Sequence, residues 1–191
     1  AAIGGGNTNK VTTATYFSVV AGGNSNLVGS SYSVVSGGRS NEVWSGFAVI
    51  GGGDTNYVFG PYAVLSGGLL NQATAYASAI GGGVENTAKA EHASIGGGLG
   101  NQIRDYAYAA SIGGGQGNYV HEFRRLGTIA GGYFNTVTEF ADFAAITGGL
   151  RNTIHGNLSV ITGGVLNLAL GYGTAIGGGQ ANTVTSSADL G

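Results

Sequence analysis

The feature that most constrains the fold of this chain is a short pattern, Gly-Gly-x-x-Asn, which occurs twelve times in 191 residues. Successive asparagines of the pattern are 15 or 17 residues apart, with no other spacing. A short fixed period is typical of repeat proteins, in which each repeat is one structural unit that stacks on the next. The asparagines are Asn9, Asn26, Asn41, Asn56, Asn71, Asn86, Asn101, Asn118, Asn135, Asn152, Asn167 and Asn182.

Two more positions of the repeat are apolar in every copy. The residue two places before the first glycine is aliphatic, and the residue two places after the asparagine is apolar, as in Val35 with Val43. Side chains two residues apart lie on the same face of a β-strand. Glycine pairs at this frequency exclude helix over most of the chain, because each interior glycine costs a helix about 1 kcal/mol relative to alanine.

These positions predict an all-β chain in which each repeat is one coil of a parallel β-solenoid. Each coil has a strand ending at the aliphatic residue, a turn at the glycine pair, a short strand after the asparagine, and a return loop. The two repeat lengths differ by two residues, a change that leaves every side chain of a strand on its original face. The prediction is about twelve 15- or 17-residue coils without helix, forming a rod about 55 Å long.

The recurring asparagine has two structural interpretations. In the first, its side chain points inward and hydrogen-bonds its counterparts in neighbouring coils, because a buried amide without partners would destabilise the fold. In the second, the asparagine adopts a left-handed turn conformation and hydrogen-bonds the local backbone. Its alignment with the core positions favours the ladder.

A stripe of apolar residues is predicted on the outside of the rod. On the first strand, the residues five and three places before the glycine pair are expected to point outward, and many are aromatic or aliphatic. Soluble monomers rarely expose so long an apolar surface, so the stripe predicts self-association. Its members are Phe17, Val19, Tyr32, Val34, Phe47, Val49, Tyr62, Val64, Phe143, Leu158 and Val160.

The composition excludes several functional classes. Charged residues make up 8% of the chain and the formal net charge is −2, which argues against nucleic acid as a partner. No apolar run approaches the roughly 20 residues of a membrane helix, so this segment is not expected to insert into a membrane. The chain has no cysteine, and no nucleophile, base and orienting group share a position in the repeat. We therefore expect no enzymatic activity, no cofactor and no metal ion.

Charged residues are densest in the return loop with the sequence HEFRRLG, which contains His121, Glu122, Arg124 and Arg125. The simpler interpretation is a solvated loop. The alternative is a contact site for a partner protein or a glycan, because repetition of a modest site in an oligomer would increase the overall affinity.

Coils such as SVVSGGRSN and ASIGGGLGN resemble the YadA-like head repeats of trimeric autotransporter adhesins. The resemblance extends over nearly the whole chain and implies a left-handed parallel β-roll, with three chains packed about a threefold axis through the apolar stripe. It also implies an extracellular, cell-surface location and binding to host or cell-surface proteins or glycans. The chain departs from the usual 14-residue coil of that family, and its second glycine is unusually regular.

We expect residues 1–191 to form a single solenoid domain, uncapped at both ends, that is either a fragment or a subunit stacking end to end into a filament. The leading hypothesis is a structural, adhesive, non-catalytic surface fibre that forms a homotrimer. A phage or virus tail-fibre module is the alternative. Ice binding is disfavoured, because it needs an unbroken outward threonine array, and the pairs Thr136/Thr138 and Thr183/Thr185 are isolated.

Overall fold

The computed structural model describes residues 1–12, 15–122 and 125–185, and this part of the chain contains twelve stacked coils without helix. Each coil contributes two short strands. The first strands are β1 Ala2–Ile3, β3 Val19–Val20, β5 Val34–Val35, β7 Val49–Ile50, β9 Val64–Leu65, β11 Ala79–Ile80, β13 Ser94–Ile95, β15 Ser111–Ile112, β17 Thr128–Ile129, β19 Ala145–Ile146, β21 Val160–Ile161 and β23 Ala175–Ile176. The second strands are β2 Lys10–Val11, β4 Leu27–Val28, β6 Glu42–Val43, β8 Tyr57–Val58, β10 Gln72–Ala73, β12 Thr87–Ala88, β14 Gln102–Ile103, β16 Tyr119–Val120, β18 Thr136–Val137, β20 Thr153–Ile154, β22 Leu168–Ala169 and β24 Thr183–Val184.

The strands form two parallel sheets of twelve strands each, one from the odd-numbered strands and one from the even-numbered strands. Every strand pairs with the equivalent strand of the next coil, so that Ile50 lies beside Leu65 and Val43 beside Val58. The predicted parallel β-solenoid is therefore confirmed, with each coil defined here by its asparagine, from coil 1 (Asn9) to coil 12 (Asn182).

A third line of contacts joins the coils at the corner between the two sheets. The residue two places after the first glycine makes a single parallel bridge to its counterpart in the next coil, as Asp54 does to Leu69. The backbone N–H of Asp54 donates to the carbonyl of Gly68 at 2.8 Å. Each coil is thus paired with the next along three columns of backbone β-bridges, two in the sheets and one at the corner.

The core lies between the two sheets and contains the two predicted apolar columns. Ile50, Leu65 and Val58 are fully buried, as are nearly all their counterparts. Small residues such as Ala48 and Ser33 form a further buried column, two positions before the aliphatic one. Because each buried large aliphatic side chain contributes about 1.5–3 kcal/mol, these columns are the main source of stability.

The asparagines form a buried, hydrogen-bonded column along the core. The Nδ2 of Asn56 donates to the side-chain oxygen of Asn41 at 3.1 Å, and to the carbonyls of Gly52 and Gly68 at 3.0 and 2.9 Å. The backbone N–H of Asn56 also donates to the Asn41 side-chain oxygen, at 3.0 Å. Each inner amide is therefore satisfied both within its own coil and by the coils on either side.

The left-handed turn conformation belongs to the neighbour of the asparagine. The residue immediately before it has positive φ in every coil, for example 52° in Ser40, 53° in Thr55 and 58° in Leu70. None of the twelve asparagines, all of which lie in the described ranges, has positive φ. The asparagine side chain is therefore free to point inward, while the preceding residue reverses the backbone.

The two glycines of the pair have different roles. Gly53 has φ of 90°, and a Cβ atom there would lie 2.2 Å from the carbonyl oxygen of Gly68. The same restriction applies to the second glycine of the other inner coils. By contrast, a Cβ atom at Gly22, the first of its pair, would meet nothing within 4 Å. The regularity of the second glycine therefore follows from both its φ angle and the close approach of the next coil.

The two extra residues of the 17-residue spacings fall in the return loops of coils 1, 7, 8 and 9, between the strands. In coil 7, turns at residues 105–106 and 108–109 flank the buried Ala107, and coil 9 has the same arrangement around Ala141. The 15-residue coils have one turn there, such as residues 31–32. In coils 7 and 9 the length change is thus the addition of a turn with an inward alanine, and the two extra residues do not belong to a strand.

Candidate self-association surface

A column of four exposed aromatic rings runs along coils 2 to 5. Phe17, Tyr32, Phe47 and Tyr62 have ring centroids 5.3, 4.8 and 4.9 Å apart in succession, and their side chains are 47–74% exposed. The three rings from Tyr32 to Tyr62 are parallel within 3°. The rings therefore stack on one another along the rod and keep a large apolar area in contact with solvent.

These aromatic residues lie in the turn before the first strand, which corrects the expectation that they belong to the strand itself. Their φ angles are 54–60°, in the left-handed region. Every coil from 2 to 11 has positive φ there, and coil 12 has Gly173 at the same position. Glycine or asparagine would relieve the backbone at such a position. The aromatic residues are therefore present for their rings and not for the turn.

The valine half of the predicted stripe lies on the odd-numbered sheet and faces outward. Val19, Val34 and Val49 are half-buried, and Val64 is exposed. The aromatic and valine positions of coils 2 to 5 are together called the aromatic stripe below. Beyond coil 5 the same positions hold smaller or polar residues, until exposed apolar side chains return at Leu126, Phe143, Leu158 and Val160.

The ring column continues past the predicted stripe. Tyr62, Tyr76, His92 and Tyr108 form edge-to-face contacts with centroids 5.4, 5.5 and 5.3 Å apart. Tyr76 and Tyr108 were not among the residues predicted from the sequence, because each stands one place before the repeat position of the stripe. Their signal in the sequence is an aromatic residue beside a small one, as in Tyr76-Ala77 and Tyr108-Ala109.

A second apolar column, also missed, lies at the glycine corner between the sheets. In coils 1 to 4 this corner is polar, and it includes the ion pair between Arg39 and Asp54. From coil 5 to coil 11 it is apolar except at Gln116, and we call this part the corner column. Its apolar members are Leu69, Val84, Leu99, Tyr133, Leu150 and Val165. The aromatic stripe and the corner column therefore overlap only at coil 5.

The charged residues of the coil 8 return loop do not form one cluster. His121 Nδ1 lies 3.4 Å from Glu139 Oε2 in the next coil. The backbone N–H of Arg125 donates to Asp142 Oδ1 at 2.9 Å. Glu122 is half-buried, and Arg124 lies outside the described residues. Two of the predicted contact residues therefore face different neighbours.

Two ionisable environments are perturbed along the rod. Hydrogen bonding with the Arg39 guanidinium lowers the pKa of Asp54, and the same contact raises the pKa of Arg39. Burial raises the pKa of Tyr119, while the positive charge of Arg104, 5.9 Å from the ring centroid, opposes the shift. The shifts at Arg39 and Asp54 thus come from their pair, and the shift at Tyr119 comes from burial within the rod.

Within residues 1–12, 15–122 and 125–185, no three histidine, aspartate or glutamate side chains are grouped so that they could hold a metal ion. The same part of the chain has no helix with the length and apolar character of a membrane span. Comparison with known protein families finds no match. Comparison with curated protein sequences also finds none.

Proposed function

We propose that this chain is a rigid, non-catalytic segment of an extracellular surface fibre that associates side by side with copies of itself. The observation that carries the proposal is the stacked, exposed ring column of Phe17, Tyr32, Phe47 and Tyr62. A contiguous exposed apolar surface of this length marks a contact site. The backbone at these positions gains nothing from an aromatic residue, and the residues remain 47–74% exposed although their rings stack on one another, which supports a contact with another chain.

A homotrimer is the assembly that we propose, on the YadA-like resemblance of the coils. Each repeat position lies beside the equivalent position of the next coil, as Val34 lies beside Val49 and Val49 beside Val64. Parallel copies of the chain therefore present equivalent positions at the same height along the rod. Three copies related by a threefold axis can then bury their aromatic stripes against one another over coils 2 to 5, and the ring column beyond coil 5 stays outside this contact. A closed ring of this kind leaves no unpaired contact surface from which uncontrolled association would continue.

The role proposed for the assembled fibre is adhesion to a host or cell-surface protein or glycan. A solenoid suits this role because its contacts are only between neighbouring coils, so exposed loops vary without disturbing the strands. The return loops of coils 7 and 9 illustrate this, since each gains a turn while register is retained, as between Ile95 and Ile112. Repeated copies of one loop surface would bind a repetitive partner with higher overall affinity than a single copy.

The experiment that tests the assembly is a measurement of mass in dilute solution by sedimentation equilibrium. The proposal predicts a mass three times the 18.8 kDa of one chain. A stable monomer at micromolar concentration would contradict it.

A further inference from the structure

A groove opens on the side of the rod where the return loops change from one turn to two. Its volume is about 950 Å³. Coils 5 and 6 contribute Tyr76, Lys89 and Glu91, and the longer loops contribute Asp105, Tyr106, Tyr108 and Arg125. The groove is therefore built by the length variation of the repeat, and its volume is in the range of small-molecule binding sites.

Three tyrosines present their rings to this groove. Tyr106 is 71% exposed, and Tyr76 and Tyr108 are exposed beside His92, which contacts both at 5.5 and 5.3 Å. Tyrosine offers an apolar ring face of negative potential and a hydroxyl that can donate or accept a hydrogen bond. Surfaces of this kind suit ligands that have both C–H faces and polar edges.

The charged groups of the groove balance one another. Lys89 and Arg125 are cationic, and Glu91 and Asp105 are anionic. No hydrogen bond or ion pair between described residues involves the side chains of Lys89, Glu91 or Asp105. A strongly anionic ligand would be repelled by Glu91 and Asp105, and a strongly cationic ligand would be repelled by Lys89 and Arg125. Uncharged hydroxyl groups can use both, since they donate to carboxylates and accept from cations.

We propose that this groove binds an uncharged oligosaccharide of a few residues. The C–H face of a pyranose ring carries partial positive charge and packs on the tyrosine rings, while its hydroxyls hydrogen-bond Glu91, Asp105, Lys89 and Arg125. This inference deepens the adhesive role proposed above and gives its partner class. The groove belongs to a single chain, so only the gain from three copies rests on the proposed trimer.

Direct binding of defined sugars to the full chain tests the inference. The probes are chitotriose, cellotriose, maltotriose and lactose, with 3′-sialyllactose as an anionic comparison, and binding is measured by ligand-observed NMR and calorimetry. At least one neutral sugar is expected to bind with a submillimolar to millimolar dissociation constant. Tyr106→Asn, which suits the left-handed backbone at φ of 61°, and Asp105→Asn should each weaken binding tenfold or more.

Tyr172→Asn provides the matched control, because Tyr172 is an exposed return-loop tyrosine of coil 11 away from the groove. It should leave binding unchanged. The inference is overturned if no neutral sugar binds, if only 3′-sialyllactose binds, or if the groove variants bind as well as the wild type. It is also overturned if Asp105→Asn lowers the mass of the assembly, since the groove is then occupied by a second copy. If the wild type is a monomer and still binds sugar, the proposed trimer is contradicted and the sugar-binding inference stands.

Discussion

The side-chain oxygen of Asn56 accepts two hydrogen bonds from Asn71, one from the backbone N–H at 3.0 Å and one from Nδ2 at 3.3 Å. The same relationship joins Asn71 to Asn86 and Asn86 to Asn101. Each amide thus supplies partners to the coil on either side of it. The column satisfies polar groups in the core and also fixes which residue of one coil lies beside which residue of the next.

Replacing one inner asparagine is expected to destabilise the rod strongly. Asn86→Ala leaves the carbonyls of Gly82 and Gly98 and the amide groups of its neighbours short of partners in a buried site. Each unsatisfied buried group costs about 1–3 kcal/mol, so a loss of at least about 3 kcal/mol in unfolding free energy is expected. Urea denaturation followed by circular dichroism measures it. The outward Gln72→Ala on the same sheet is the control, and equal losses in the two variants would refute the role of the column.

The two glycines of one pair should respond differently to the same substitution. Gly149→Ala forces a Cβ to within 2.2 Å of the Gly164 carbonyl oxygen at φ of 91°, whereas Gly148→Ala meets nothing within 4 Å. We expect the Gly149 variant to lose about 2 kcal/mol or more and the Gly148 variant to stay close to wild type. Thermal denaturation of the pair provides the comparison. A larger loss at Gly148 would be incompatible with this turn geometry.

Removal of two rings from the aromatic stripe should dissociate the assembly without unfolding the chain. Asparagine tolerates the left-handed backbone, so Phe47→Asn with Tyr62→Asn deletes the exposed rings and retains the turn. The expected mass falls from three chains to one, while the circular dichroism spectrum is unchanged. Phe59→Asn is the control, because Phe59 is equally exposed but lies outside the stripe. If the double variant keeps the wild-type mass, the stripe is not the interface.

The pair between Arg39 and Asp54 predicts a defined pH response. Because the guanidinium lowers the pKa of Asp54 in the folded chain, the pair stabilises the fold above the unfolded pKa of about 3.9. This contribution is lost as the pH falls through the folded pKa. NMR titration should place the Asp54 carboxyl below its ordinary range in the wild type, and within that range in Arg39→Gln. An Asp54 pKa that is the same in both proteins would show that the contact does not persist in solution.

The fold was predictable because several positions of each repeat keep a fixed spacing, and each position forms one column of the stack. Ile50 and Val58 recur at fixed offsets from one glycine pair, and only a stack of equivalent coils buries all such residues together. The backbone angles were not predictable in the same way. The left-handed residues are as different as Glu85 and Leu70, because the coil imposes positive φ whatever side chain is present.

The candidate site was only partly visible in the sequence. The residues of the aromatic stripe were predicted from their periodicity, but their position in a turn was not predicted. The strands are only two residues long, so the alternation of side chains does not show where a strand begins. The corner column was missed because polar Asp54 and apolar Leu69 share one repeat position. The groove could not be predicted from any single repeat, because it forms where a short return loop lies next to a longer one.

Distances between spin labels along one column test the stacking of the coils most directly. The chain has no native cysteine, so pairs of labelled cysteines at Gln72 with Thr153, and at Lys10 with Thr183, can be measured by pulsed electron paramagnetic resonance. Unlabelled chain is added in excess to suppress contacts between copies. With a rise of about 4.8 Å per coil, five and eleven coil steps predict separations of about 24 and 53 Å. Separations that do not grow in proportion to the number of coils would contradict the solenoid.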